Sequence, residues 1–286
     1  MNQLEQFHQQ TEVKNALGAL NKYLGPHIGN FELQPVFEEL HRLTLMGMGY
    51  GLADNIGSSG EKQILSLISR FKFPDPVVFD VGANVGGYSK EALQRFGDDL
   101  QLYSFEPSEH TFRELEENTR QFKNIKRYNF GLGHENGAVP FYGNEPGSGL
   151  ASVFNRRLDY RNRAFHKMED VQIVTLDSFC EEKGIDRIHF LKLDVEGNEL
   201  NVLKGAENML ERRNIDFIQF EFGGCNIDAR DFFQDYFYFL KEKYRIYRIL
   251  PGGIRPIDQY REELEVFVTV NFFAVLKEHD AKIREV

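Results

Sequence analysis

Cysteine is scarce in this chain. Of 286 residues, only Cys180 and Cys225 are cysteines, far apart and in no CxxC pair. That excludes a disulfide framework and a structural zinc site, and it fits a reducing cytosol. Basic residues are in deficit, with 34 Lys and Arg against 44 Asp and Glu and a formal charge of −10. A general nucleic-acid binder shows the opposite balance. No run approaches the roughly 18 apolar residues of a membrane span. The opening residues, MNQLEQFHQQ, lack the apolar core of a signal peptide, so a cytoplasmic protein is expected. Internal repeats and low-complexity tracts are also missing. The length suffices for one large domain, or for one domain with an appendage, around a buried core.

What the chain does have is the stretch Val77–Gly87, VVFDVGANVGG. Apolar residues run into an acid, then a glycine-rich turn, then a helix-like segment, Gly87–Phe96. This pattern predicts a buried strand whose turn brings backbone close to a nucleotide-like ligand. Glu106, in LYSFEP, ends the next strand-like run. A carboxylate about 20 residues beyond such a turn is placed to hold ribose hydroxyls.

Residues 1–70 read as a helical extension serving as lid, interface or packing; one reading is a homo-oligomer formed through these helices. Val13, Ala16, Leu17, Leu20 and Leu24 share one helical face. Val36, Leu40 and Leu43 mark a second helix, with Pro35 in its first turn and Gly47–Gly51 closing it. A third runs from about Gly60 to Arg70, with Ser59 or Ser58 as cap.

From residue 71 onward strands and helices alternate. Strands are expected at Val77–Val81, Leu100–Phe105, Ile125–Phe130, Ile188–Leu193 and Phe217–Phe222. Helices are expected at Glu109–Phe122, Leu176–Lys183, Glu199–Arg212 and Arg230–Tyr244. Alternation implies a parallel sheet covered on both faces. Tyr244–Leu250 and Val266–Leu276 have no clear helix between them and predict an antiparallel pair at the sheet edge. The expected architecture is therefore α/β: a seven-stranded, mostly parallel sheet with an antiparallel C-terminal hairpin. Residues 134–170 interrupt the pattern as an insertion, with a small hairpin around Ala138–Tyr142.

The ends of the parallel strands carry Asp80, Glu106, Asp194 and Glu221, with Glu196 just beyond. Ligands of such sheets bind beyond these ends. Strand alternation puts Lys192 and Asp194 on one side, and Gln219 and Glu221 on one side of the next strand. A pyrophosphate would be repelled by so acidic a rim. A dinucleotide fingerprint also wants a glycine where Asn84 stands. S-adenosylmethionine carries a sulfonium and an ammonium and no phosphate, and so matches. The rival readings are an NAD-dependent oxidoreductase and a non-catalytic binding module on the same fold.

Four motifs occur in order: Asp80–Ser89, Phe105–Pro107, Thr175–Asp177 and Leu191–Glu199. Together they resemble the FkbM-type methyltransferases over about residues 60–277. The resemblance implies a class I, Rossmann-like, S-adenosylmethionine-dependent fold acting mostly on hydroxyls, often of sugars or other natural products. It implies that Asp80 and the turn residues Gly82, Asn84 and Gly86, with Tyr88 just after them in sequence, bind the cofactor and surround its methionine part. Glu106, beside Pro107, would grip the ribose, and Leu132 would lie near adenine. Asp194 and Glu196 would face methyl transfer, oriented by Lys192.

Asp194 is the first candidate base, then Glu196 and Glu221. His134 and His166 in the insertion are further candidates. Asp194, Glu196 and Glu221 are also oxygen ligands that suit Mg²⁺ or Ca²⁺, but the two strand ends offer no clear Asp-Asn pair, so no metal is assigned. Arg156, Arg157 and Arg161 belong to a basic cluster that would dock an anionic acceptor, such as a phosphorylated or uronic sugar. The expected partner is thus a small-molecule or glycan acceptor, without nucleic acid.

Overall fold

The computed structural model describes residues 3–52 and 56–285. It divides into two compact units, residues 1–48 and 49–286. The first unit contains α1 (Gln3–Leu24) and α2 (Gln34–Gly47). Pro35 falls in the first turn of α2, where its missing N–H has no helical partner to lose. Val13 and Leu17 of α1 and Val36 and Leu43 of α2 are exposed, so these apolar stripes find no core within their own unit.

The second unit begins with α3 (Glu61–Ser69), whose Ile64, Leu65 and Ile68 are fully buried. Its N-cap is Gly60 in the left-handed region, not a serine. Ser59 instead donates its hydroxyl to Glu61 Oε2 at 2.8 Å. Then follow β1 (Val77–Val81), α4 (Gly87–Phe96), β2 (Gln101–Phe105), α5 (Glu109–Thr119), β3 (Ile125–Tyr128), β4 (Gly131–Gly133), β5 (Gly137–Gly143) and β6 (His166–Thr175). The chain continues through α6 (Leu176–Lys183), β7 (Ile188–Leu193), α7 (Glu199–Lys204), α8 (Glu207–Glu211), β8 (Ile215–Phe222), α9 (Cys225–Ala229) and α10 (Phe233–Leu240). It closes with β9 (Tyr244–Leu250), β10 (Gly253–Ile257), β11 (Val270–Leu276) and α11 (Asp280–Arg284).

The main sheet has the order β10-β9-β11-β8-β7-β1-β2-β3. Strands β3, β2, β1, β7 and β8 are parallel, and β11 runs antiparallel between β8 and β9. These seven strands are the expected sheet. The eighth, β10, was not expected. The chain turns at Gly252-Gly253 and folds back onto β9 in antiparallel register. Pro256 on β10 cannot donate to a ladder, which suits an edge strand. The β9–β11 pair is therefore one strand in from the edge.

Both faces of the sheet are covered. Ile64, Ile68, Val78, Ala92, Leu102, Phe190 and Phe217 belong to one buried cluster. Phe79, Phe105 and Phe179 pack ring on ring on the other face, as do Phe220, Phe233, Tyr236 and Phe272. Burial of each such side chain contributes about 1.5–3 kcal/mol.

The insertion is more ordered than a bare loop. β5 and β6 form an antiparallel ladder, and β4 adds a parallel strand, giving a small second sheet, β4-β6-β5. Residues 199–212, expected as one helix, break at Gly205. A side chain there would lie 1.9 Å from the Gly133 carbonyl oxygen. The second half restarts because Asp177 accepts the N–H groups of Asn208 and Met209 at 2.8 and 3.0 Å. Thr175 caps α6 by accepting the Ser178 N–H. Thr175-Leu176-Asp177 is thus a pair of helix caps that seats α6 and α8.

Candidate active site

Strand order reverses beside β1, which has β2 on one side and β7 on the other. Such a switch point opens a crevice at the carboxyl ends of the strands. The Gly82–Gly86 turn fills its floor. The N–H groups of Gly82 and Ala83 donate to the Phe105 carbonyl at 3.0 and 2.9 Å, and Asp194 N–H donates to the Val81 carbonyl at 3.0 Å. Gly82 has φ +82°, and a Cβ there would lie 1.8 Å from the Asp194 carbonyl oxygen. No other residue fits so close to the β7 tip.

Asn84 also adopts a left-handed φ, 48°. Asparagine tolerates that region better than most side chains, and its Oδ1 accepts the Val85 N–H at 2.7 Å. The conformation turns the Asn84 N–H toward Glu106 Oε2, 3.0 Å away. Ser108 N–H holds the other oxygen of Glu106 at 3.0 Å. Burial pushes the Glu106 carboxyl up to about 7, against the pull of those two N–H donors.

On the β7 side, Lys192 Nζ lies 3.1 Å from Asp194 Oδ2 and 3.5 Å from Asp80 Oδ1, and 4.6 Å from the Tyr88 ring centroid. Burial works against its charge, but Asp194, Asp80 and Glu61 outweigh it and hold the ammonium protonated. Asp80 is fully buried, with Ser89 donating to one oxygen at 2.6 Å. Glu61 is buried too, bonded by Gln219 Nε2 at 2.7 Å. Asp194 differs: its side chain is 40% exposed.

The loop after Asp194 is held rigidly. Glu199 accepts the N–H groups of Val195 and Gly197 at 2.8 and 3.0 Å. Glu196 sits at φ 53°. The insertion grips it at both ends: Ser152 donates to its carbonyl at 2.8 Å, and Arg156 Nη1 to Oε2 at 2.5 Å. Burial pushes the Glu196 carboxyl up, with Arg156 opposing; burial and the neighbouring carboxylates Asp194 and Glu196 raise that of Glu221. Glu196, Glu221 and Cys225 each bring a ligand atom within 4.8 Å of the others. A cation there would have to displace the Arg156 guanidinium, and burial keeps the Cys225 thiol protonated.

Above the turn lies a cleft that opens to solvent. Gly82, Asn84, Glu106, Pro107, Leu132, Asp194 and Glu196 all line it. Asp80, Gly86, Tyr88, Lys192 and Glu221 stand behind the wall. Arg156 reaches the site only through Glu196. Arg157 and Arg161 are exposed, the latter against Tyr160. His134 is exposed beside Glu135, and His166 is exposed at the start of β6.

Sequence reasoning missed the outer wall. Phe141, Met168 and Ile173 of the small sheet, the Ser148-Gly149 loop and Asn198 complete the cleft. Asn198 stands at the variable position inside the Leu191–Glu199 motif and donates to the Leu132 carbonyl at 3.1 Å. Glu61, buried in the Lys192 network, was missed as well.

Among the described residues lining the cleft, none is basic and four are acidic: Glu106, Glu145, Asp194 and Glu196. A pyrophosphate finds no counter-charge there. S-adenosylmethionine fits this donor set: Glu106 can accept from ribose hydroxyls, Leu132, Ile173 and Met168 offer apolar surface to a flat ring, and the carboxylates face its cationic end. Fold and site together define a class I methyltransferase. Residues 80–248 match the methyltransferase FkbM domain, and the chain belongs to that family.

Two relatives illustrate the kinship. The 2-O-methyltransferase NoeI of Sinorhizobium fredii is 26% identical over 169 residues, 56% of this chain and 68% of NoeI. The hexuronic acid methyltransferase AglP of Haloferax volcanii is 27% identical over 173 residues, 60% of this chain and 66% of AglP. Each match thus spans about two thirds of the relative's length. Among solved structures, an S-adenosylmethionine-dependent O-methyltransferase from Thermotoga maritima superposes with a TM-score of 0.39 at 12% identity, covering 76% of this chain and 64% of that one. Among the described residues, no helix is long and apolar enough to cross a membrane.

Proposed function

We propose that this S-adenosylmethionine-dependent methyltransferase methylates a hydroxyl of a sugar, a glycan or a related natural product, with Asp194 as general base. The observation that carries the reading is the placement of Asp194. It is the carboxylate at the β7 tip that both lines the cleft and is held, through one oxygen, by Lys192. Its other oxygen is left to accept a proton. NoeI and AglP, whose names state action on a 2-O position and on a hexuronic acid, support a sugar hydroxyl as the acceptor.

When bound, S-adenosylmethionine supplies a methyl group already activated by its sulfonium. The chain has two tasks left. Glu106 and the Gly82–Asn84 backbone fix the cofactor's ribose end against the switch point, and the Glu196 loop fixes the acceptor side. Such alignment contributes roughly 7–11 kcal/mol in favourable cases. Asp194 then takes the hydroxyl proton as the oxygen becomes nucleophilic, a contribution of about 10²–10⁴-fold. Lys192 stabilises the Asp194 carboxylate and fixes its rotamer. Arg156 acts through Glu196, while Arg157 and Arg161 on the same segment would meet an anionic part of the acceptor outside the cleft.

The test is incubation with methyl-labelled S-adenosylmethionine and fractionated glycans from the source organism, with mass spectrometry of the labelled product. An acid-stable methyl ether on a sugar hydroxyl is expected. Label on nitrogen or sulfur would overturn the assignment.

A further inference from the structure

A second groove lies at the β9–β10 edge of the sheet. Arg248 of β9 and Arg255 of β10 are directly opposed in the antiparallel register. Their side chains therefore leave the same face roughly 5 Å apart at Cβ, and like charges in that relation weaken strand pairing. Among the described residues, neither makes an ion pair. The Arg248 guanidinium lies 4.9 Å from the Tyr50 ring centroid and donates Nη1 to the Tyr50 hydroxyl at 3.1 Å, while its Nε is buried with no partner among the described residues.

Arg261 lines the same groove, an open space of about 1250 Å³. Two acidic residues share it. Asp258 is engaged by Arg245 at 3.0 Å, which leaves Glu263. Among the described residues, three arginines thus line the groove against one carboxylate that makes no ion pair, on a chain whose formal charge is −10. Unrelieved repulsion between Arg248 and Arg255 has a cost, and an anion seated between them would remove it. Arginine forks suit phosphoryl oxygens in geometry as well as in charge.

We propose that Arg248, Arg255 and Arg261 form a binding site for a phosphoryl group, separate from the cofactor cleft. Charge is then divided between two sites: the carboxylate-lined cleft takes a cation, and the arginine groove takes the phosphate of a phosphorylated or nucleotide-linked ligand. A group with more than one negative charge is favoured over a simple carboxylate, because three arginines line the groove against that single carboxylate.

Calorimetric titration of the full chain with inorganic pyrophosphate, uridine diphosphate and acetate tests this. Saturable pyrophosphate binding is expected, with acetate at least about tenfold weaker. Arg255→Ala and Arg261→Ala should each weaken pyrophosphate at least about tenfold. Both residues are exposed, so neither change disturbs the Arg248–Tyr50 packing. Uridine diphosphate binding tighter than pyrophosphate would identify a nucleotide as the source of the phosphate, and equal binding would identify phosphate alone as what is read. The proposal is overturned if pyrophosphate does not saturate, if both variants bind it as the wild type does, or if S-adenosylmethionine displaces it. Because binding is read without turnover, failure here leaves the acceptor assignment untouched.

Discussion

The Asn84 backbone N–H donates to Glu106 Oε2 at 3.0 Å, joining the glycine turn after β1 to the carboxylate that ends β2. The same oxygen pair that would accept ribose hydroxyls is therefore fixed before any ligand arrives. A hydrogen bond to a charged group is worth about 1.5–3 kcal/mol, so Glu106→Ala should weaken S-adenosylmethionine binding by on the order of 10²-fold, measured calorimetrically. Acidity adds a second handle. The Glu106 carboxyl is raised to about 7 by burial, and its ionised form accepts through both oxygens with full charge, which the protonated form does not. Cofactor affinity should thus rise with pH through about 7 and level off above it. The free protein should move the other way. A carboxyl raised in the folded state lends its stability below the unfolded value and loses it as pH rises through the folded one. A flat affinity profile from pH 6 to 8 would show that Glu106 does not contact the ribose.

Gly82→Ala tests how tightly the two strand tips are apposed. The added methyl would lie 1.8 Å from the Asp194 carbonyl oxygen, on a backbone already at φ +82°. Neither atom can yield without moving β1 from β7. Loss of cofactor binding with the far-UV circular dichroism spectrum retained is expected, together with a lower melting temperature. Normal cofactor binding by the Gly82→Ala variant would contradict the apposition. Gly87→Ala serves as the control, since a Cβ there meets nothing within 4 Å.

Asp194→Asn removes the base while keeping size and shape. A fall in kcat of about 10²–10⁴-fold is expected, with cofactor Kd changed little. Lys192→Met should lower kcat with little change in cofactor Kd, because the ammonium 3.1 Å away no longer fixes the Asp194 carboxylate. If both variants keep wild-type kcat, proton removal belongs to another group, and Glu196 or Glu221 becomes the next candidate.

The parts of this arrangement that were legible in the sequence are those fixed by local chemistry. The β1 run, the turn and α4 follow from an apolar stretch, glycines and a helix former in succession, and α4 begins and ends at Gly87 and Phe96 as expected. Lys192 and Asp194 share a side because strands alternate, and they meet at 3.1 Å. What was not legible depends on distant contacts. Gly205 breaks a helix because it packs on Gly133, and β10 exists because a two-glycine turn found a free edge. The arginines of the insertion read as one cluster, yet Arg156 is turned inward against Glu196 while Arg157 and Arg161 are exposed. Their spacing alone carries no sign of that division. Glu61 likewise joins the Lys192 network through Gln219, 158 residues away.

The Arg156–Glu196 pair supplies the last prediction. Both side chains are largely buried, 7% and 15% exposed, with 2.5 Å between Nη1 and Oε2. Removing one partner of such a pair strands the other charge and costs about 3–5 kcal/mol, whereas removing both costs far less. Arg156→Met should therefore lower stability by about that amount in urea titrations. Adding Glu196→Gln should recover most of it, since a neutral amide needs no counter-charge. The kinetic readout separates packing from function. If the pair positions the acceptor side of the cleft, the double variant will be stable again yet keep a raised acceptor KM with unchanged cofactor Kd. Full recovery of both stability and KM would reduce Arg156 to a purely structural clamp on the loop that follows Asp194.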